Sequence, residues 1–249
     1  MSAGSEVVGE GAAGSEVVHE VVGEGAAGSE VVHEVTAALA LIETWWELWL
    51  VVVAGVAGAA IAPAVVAHTS RTRAPTPAQR DHLRAAGVPP ERVRVLAAGE
   101  SVGAFAAGLS PRLGRVFVTT ELCRELDAEE VAAVACHEYG HLARRHVPLR
   151  LGVPVAFALA WVAGARLAPG SEFLVGLGLL VPTVGLSLVT SRWTEFDADA
   201  FVRTRTDGEA LASALSRLAA AGHVADGGRL SRHPPLDGRI GRLDDADGE

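Results

Sequence analysis

The sequence HEYGH, residues 137–141, places Glu138 directly after His137 and puts His141 four residues from the first histidine. On an α-helix this spacing brings both imidazoles to one face, where they can bind the same metal ion. Glu138 lies beside that face, so its carboxylate can reach a metal-bound water as a general base without being a ligand. The motif predicts zinc-dependent hydrolysis, although two surface histidines beside a glutamate have the same spacing.

A second acidic cluster could complete such a site. Glu195 and Asp199 are four residues apart in WTEFDADAF, and Ala198 is small enough for another helix to approach closely. A catalytic zinc needs a third protein ligand, which Glu195 can supply. Asp199, one turn further, can accept a hydrogen bond from the free ring nitrogen of a ligand histidine. The alternative is a solvated acidic face, which we expect for Asp197 because it lies off the face of the other two.

These residues must be held by the elements around them. RVRVL (92–96), GAFAAGL (103–109) and RVFVTT (115–120) predict the short strands of a small sheet. Asp127 and Glu130 stand at the N-cap and third positions of a helix that carries HEYGH. Other helices are predicted from Pro77 to near Gly87, from Asp207 to near Gly222, and at the end of SRHPPLDGRIGRL. We therefore expect an α+β fold that is mostly α.

Residues 48–67 contain no charged side chain, and tryptophans lie at their start. Twenty helical residues span about 30 Å, the thickness of a bilayer core, so this stretch predicts a transmembrane helix. The acidic segment before it and the arginines after it place the following chain in the cytoplasm.

Two further apolar stretches, 151–168 and 173–190, are joined by PGSE and predict a hydrophobic helical hairpin over 151–190. The alternative is a hairpin buried inside a soluble protein, since each stretch is short for a membrane span. Flanking arginines place both ends of the hairpin on the cytoplasmic side: Arg144, Arg145, Arg150 and Arg192. We expect a multi-pass protein of the cell membrane with a cytoplasmic catalytic domain.

Residues 1–47 hold nine glutamates, no basic residue and a 14-residue repeat rich in glycine, which predicts a flexible acidic tail. The rest of the chain balances 21 acidic against 21 basic residues, so it has no basic stripe for nucleic acid. The two cysteines, Cys123 and Cys136, are too few for a disulfide framework. Cys136 points about 100° away from His137 on a helix, so we expect it not to be a ligand.

From about residue 98 to residue 243 the chain resembles the HtpX-like membrane zinc metalloproteases, the peptidase family that also includes the CAAX prenyl endopeptidases. The motifs behind this resemblance occur in the family's order: FVTTEL (117–122), HEYGH, a hydrophobic hairpin, ExxAD (195–199) and HPPxxxRI (233–240). The resemblance implies a zincin-like metalloprotease domain over residues 75–249, interrupted by the hairpin and preceded by the transmembrane helix.

The resemblance also implies the roles of individual residues. One Zn²⁺ per chain would be bound by His137, His141 and Glu195, with Glu138 as general base and Asp199 orienting a ligand.

Near the C-terminus, His233 would stabilise the oxyanion or gate the site, and Arg239 would pair with an acidic group there. The alternative for these two is a proline-rich loop and a surface arginine. One departure concerns the strand before the metal helix, where family members often carry Asn-Ala-Phe and this chain has Gly103, Ala104 and Phe105. That strand is expected to pair with extended substrate.

The implied activity is a membrane-embedded, zinc-dependent endopeptidase that acts at the cytoplasmic membrane face on misfolded or membrane proteins, in membrane-protein quality control. Two alternatives stay open. An antirepressor-type regulatory membrane metalloprotease would need an extracellular sensor domain. A catalytically inactive membrane scaffold of the same fold would have no use for the general base Glu138.

Overall fold

The computed structural model describes residues 46, 50, 52–206, 208–224, 231 and 233–244. Two predicted segments therefore lie largely outside the described residues: the acidic tail, of which only Trp46 is described, and the start of the 48–67 helix, of which only Leu50 is described before Val52. Asp207 also lies outside the described residues. All elements below belong to the unit Val52–Glu249.

A mixed four-stranded sheet confirms the three predicted strands and adds a short one. Strands β1 (Thr72–Arg73), β2 (Val93–Leu96), β3 (Ala104–Ala107) and β4 (Arg115–Thr119) lie in the order β1-β2-β4-β3. β2 pairs with β4 in parallel, and β3 pairs with β4 antiparallel. β3 is therefore an edge strand, with one side of its backbone free of strand partners within the described sheet.

The helices that precede the site begin where their capping residues predict. In α2 (Pro77–Ala85), Thr76 forms a capping box with Gln79. After the short α3 (Leu122–Glu125), helix α4 (Ala128–Ala143) begins at Asp127, whose carboxylate accepts hydrogen bonds of 3.0 Å from the backbone N–H of Glu129 and Glu130. The Glu130 side chain returns to the Asp127 backbone N–H at 3.0 Å. This local hydrogen bonding fixes the start of the helix that carries HEYGH.

Helix α4 lies at the centre of the fold and packs against the sheet, α2 and later helices. Its buried face includes Val131, Ala135, Cys136 and Leu142. The Cys136 thiol points to the Ala86 carbonyl, 3.8 Å away, so it faces α2 and not the histidines. Burial raises the pKa of this thiol to about 11.

The predicted hairpin consists of α5 (His146–Leu167) and α6 (Glu172–Arg203), which pack along each other. At their close approach, a Cβ on Gly164 would lie 2.5 Å from Val175. The sequence predicted a hairpin leg ending near residue 190 and a separate acidic helix, but α6 is one helix of 32 residues that contains both. Glu195 and Asp199 are thus rigidly joined to the apolar hairpin.

Three described helices are long and apolar enough to cross a membrane: α1 (Val52–Thr69), α5 and α6. Large apolar side chains on the hairpin are exposed, with Leu167 at 88% and Phe173 at 77%. In α5, only His146 and Val153 are buried. This exposure is the opposite of what a hairpin buried in a soluble core would show, and it suits contact with lipid.

Two final helices close the fold, α7 (Glu209–Ala220) and α8 (Leu236–Asp244), the predicted terminal helix. They pack against each other, and α7 also packs against α4. Arg217 and Ser213 of α7 both bind the Glu130 carboxylate. The N-cap of α4 is therefore linked to α7 as well as to its own backbone.

Candidate metal centre

Small residues allow α4 and α6 to approach closely at the site. Ala198 is completely buried, as its size predicts. On α4, a Cβ added to Gly140 would lie 3.1 Å from the Phe201 ring. The glycine of HEYGH therefore gives Phe201 of α6 room to pack against α4, which brings the two ligand-bearing helices together.

Three donor atoms from these helices converge. The Nε2 atoms of His137 and His141 are 3.3 Å apart. The Glu195 carboxylate lies 3.6 Å from His137 Nε2 through Oε2 and 3.5 Å from His141 Nε2 through Oε1. All three side chains are buried. Zinc bound tetrahedrally at about 2.0–2.1 Å has ligand atoms about 3.3–3.4 Å apart, so these spacings fit a zinc ion.

His137 is oriented by Asp199, as the sequence predicts for a ligand histidine. Its Nδ1 donates to Asp199 Oδ1 at 2.9 Å, which directs Nε2 towards His141 and Glu195. Burial alone lowers the pKa of His137, but hydrogen bonds to Asp199 and Glu195 outweigh it and raise the pKa to about 9. The space between these acceptor groups therefore favours a positive charge, which a proton or a metal ion can supply.

His141 is oriented by a residue that the sequence did not predict. Its Nδ1 lies 2.9 Å from Nδ1 of His146, and His146 Nε2 lies 2.9 Å from Asp197 Oδ2. Burial and the neighbouring His137 lower the pKa of His141, which keeps its ring neutral and able to coordinate.

The expectation that Asp197 is a solvated surface acid is wrong. Its side chain is 20% exposed and pairs with His146 and, at 3.6 Å, with Arg144. The reason is that α6 packs beside the turn between α4 and α5, so a residue off the Glu195 face still meets protein. The available sequence signal was a third histidine, five residues after His141.

Glu195 is contacted by two arginines and by His233. Arg150 binds its Oε1 at 2.8 Å and also contacts the Thr194 hydroxyl. His233 Nδ1 and Arg239 Nη1 lie 3.2 Å and 3.6 Å from its Oε2. Arg150 was predicted only as a flanking charge, yet its guanidinium turns into the site. Arginine contacts of this kind favour the ionised carboxylate that metal coordination needs.

Glu138 is placed between the metal-ligand group and the sheet edge. Each of His137, Glu138 and His141 offers a potential ligand atom, and these atoms lie within 4.8 Å of one another. The Glu138 carboxylate accepts a hydrogen bond from the Ala106 backbone of β3, and burial raises its pKa. A carboxyl with a raised pKa beside a metal site suits a general base.

Two cavities meet at the candidate metal centre. One, of about 360 Å³, is bounded by Glu138, Glu195 and His233, together with apolar residues of α4, α7, α8 and the segment after α7: Val134, Leu211, Leu215, Leu218, Val224 and Leu236. The other, of about 310 Å³, lies between β3 and the first turn of α5 and includes Arg150. A cleft therefore runs past the site, with the edge of β3 on one side.

His233 and Arg239 differ in exposure, although both lie at the site. The His233 side chain is 68% exposed at the cleft. Arg239 is 7% exposed, so it is not a surface arginine. At Gly103, where family members often carry asparagine, an added Cβ would meet nothing within 4 Å. The functional roles of these residues stay predictions.

Comparison with known proteins agrees with this architecture. The sequence model of peptidase family M48 matches residues 77–247. The chain is 32% identical over 157 residues to a protease HtpX homolog of Acidiphilium cryptum, covering 57% of this chain and 54% of the relative. It is 30% identical over 197 residues to protease HtpX of Cellvibrio japonicus, covering 65% and 67%.

The crystal structure of S. mikatae Ste24p has the same fold, with a TM-score of 0.64 at 15% identity, over 92% of this chain and 66% of that one. The chain thus spans about half the length of the Acidiphilium relative and about two thirds of the others. The M48 match includes the site helices and covers most of the chain. The chain therefore belongs to peptidase family M48, as an HtpX-like member.

Proposed function

We propose that this chain is a membrane-embedded, zinc-dependent endopeptidase. The observation that carries the proposal is the triangle of His137, His141 and Glu195 donor atoms, 3.3–3.6 Å apart, with the Glu138 carboxylate beside it. The donor set suits Zn²⁺, one ion per chain, because two imidazoles and one carboxylate leave a fourth position for water. A binding scaffold would not need a half-buried carboxyl with a raised pKa at this position.

Zinc, when bound, supplies a Lewis acid that activates water and polarises a carbonyl. The chain's own residues perform the remaining tasks. The Glu138 carboxylate takes a proton from the attacking water and later delivers it to the leaving amine. His233 lies on the open side of Glu195, where it can donate a hydrogen bond to the developing oxyanion. The free edge of β3 pairs with the backbone of an extended substrate.

The apolar helices and the arginines support a proposed membrane arrangement. We place α1 and the apolar stretches of α5 and α6 in the bilayer, and the rest of the catalytic domain, over residues 75–249, at the cytoplasmic face. Tags at the two termini should then be accessible from opposite sides of sealed vesicles. Polypeptides that are misfolded or membrane-embedded are the proposed substrates, in membrane-protein quality control.

The deciding experiment is Glu138→Gln in the full chain, purified in detergent. Zinc content should stay near one per chain, while cleavage of an unfolded protein or of the chain itself should fall by about 10²–10⁴-fold. Glu129→Gln is the matched control, because it removes an exposed carboxylate from the first turn of the same helix. Undiminished cleavage by Glu138→Gln would contradict the mechanism.

A further inference from the structure

His146 is buried at the first position of α5 with 1% of its surface exposed. Two residues, Arg144 and Arg145, separate α4 from α5, and Arg145 adopts a left-handed conformation with φ 57° and ψ 36°. After this turn His146 lies against His141, five residues earlier on α4. Trp193 of α6 packs on the other side of the His146 ring, with 5.8 Å between ring centroids.

The hydrogen bonds from Asp197 to His141 have a fixed direction. An ionised carboxylate only accepts, so the proton between His146 and Asp197 belongs to Nε2 of His146. A neutral His146 then offers a lone pair at Nδ1. The proton on the 2.9 Å contact between the two rings must therefore be on Nδ1 of His141. The remaining nitrogen of His141, Nε2, is left with the lone pair that faces Glu195 and His137.

The other histidine of the site, His137, is also oriented by a carboxylate, but without a second ring between them. His137 donates directly to Asp199, and Asp199 is paired with Arg239. Asp197 is likewise paired with an arginine, Arg144, at 3.6 Å. Each histidine thus has its own carboxylate and arginine, but the distance from Asp197 to His141 is bridged by the ring of His146.

We propose that His146 and Asp197 are positioning residues that fix the tautomer and ring orientation of His141 and thereby set the metal affinity of the site. The inference rests on the proposed function in that it takes His141 as a zinc ligand. Loss of such an outer partner lowers metal affinity by about 10–100-fold.

Asp197→Asn tests the pair with almost no change in volume. When the amide keeps its oxygen towards Arg144, its N–H faces His146 Nε2, which reverses the direction of both hydrogen bonds and places the proton of His141 on Nε2, where it opposes coordination. We expect the zinc dissociation constant, measured by competition with a chelating dye, to rise by about 10–100-fold. Asp197→Glu, which restores an acceptor, should recover part of the affinity. Asp81→Asn is the matched control, because it removes an exposed carboxylate of α2 that lies outside these contacts, and it should change affinity by less than about threefold.

A second readout requires neither metal nor proteolysis. In zinc-free protein labelled with ¹⁵N-histidine, imidazole nitrogen shifts report which nitrogen of His141 carries the proton. The parent should show it on Nδ1 and Asp197→Asn on Nε2, with unchanged circular dichroism. Unaltered tautomer and zinc affinity in Asp197→Asn would overturn the proposal. Failure of the proposed function would appear elsewhere, as full cleavage by Glu138→Gln.

Discussion

The guanidinium of Arg239 binds both carboxylate oxygens of Asp199, with Nε–Oδ2 at 2.8 Å and Nη2–Oδ1 at 2.6 Å. Both side chains are buried. Because Asp199 also accepts from His137, this ion pair connects the terminal helix α8 to both helices of the metal centre. The HPPxxxRI motif therefore helps to hold His137, a proposed metal ligand, from a distant part of the chain.

Arg239→Met should destabilise the protein by about 3–5 kcal/mol, because it leaves the Asp199 carboxylate buried without its partner. The double variant Arg239→Met with Asp199→Asn should be less destabilised, since no charge is then left unpaired. Unfolding in detergent with denaturant measures both. Arg242→Met on the same helix is the control and should cost less than about 1 kcal/mol. Equal stabilities of the single and double variants would show that the pair is not coupled.

Glu195→Ala should reduce zinc affinity by at least about 100-fold, because it removes one of three ligands and not merely an outer partner. Metal analysis after dialysis against a weak chelator measures the loss. The control is Glu172→Ala, which removes a carboxylate from the far end of the same helix. Full zinc retention by Glu195→Ala would exclude this residue from the ligand set.

The apolar cavity beside Glu138 should bind a large apolar side chain next to the cleaved bond. Leu215→Trp partly fills the cavity, so kcat/KM for peptides with leucine or phenylalanine at that position should fall by about 10–100-fold. Peptides with alanine there should be cleaved almost as before. Leu113→Trp, on an exposed loop, is the control. Sequencing of cleavage products from a peptide library identifies the position, and equal losses for all peptides would contradict a size-selective cavity.

Cys136 should resist alkylation at pH 8 in the folded protein, because its buried thiol has a pKa of about 11 and forms little thiolate. A thiol whose pKa is raised on folding stabilises the folded state below its ordinary pKa, and this stability is lost as the pH rises towards 11. Cys136→Ala should remove a pH-dependent loss on the order of 2 kcal/mol between about pH 9 and pH 11. Iodoacetamide labelling and unfolding at several pH values measure these effects. Rapid labelling of native Cys136 would contradict the assignment.

Elements governed by local interactions could be predicted from the sequence. Asp127 and Glu130 form their capping box within one helical turn, so spacing alone locates the start of α4. Glu195 and Asp199 share a face of α6 because four residues make about one turn. The short strands were also predictable, although the parallel pairing of β2 with β4 was not, since it depends on a crossover.

Other parts of the site depend on tertiary structure. No periodicity shows that Arg145 takes a left-handed conformation, and this residue belongs to the two-residue turn after which His146 faces His141. Asp197 and Arg150 were interpreted from the faces and flanks of isolated helices. Their contacts exist because α5 and α6 fold back on each other next to α4.

The continuity of α6 has a consequence for biosynthesis. A nascent chain that has been synthesised only through α5 already carries His137, His141 and the proposed general base Glu138, but not Glu195 or Asp199. The carboxylates arrive on the returning leg of the hairpin, and they reach the histidines only after that leg has packed beside α4. The order of residues along the chain thus delays assembly of the candidate metal centre until the hairpin is complete.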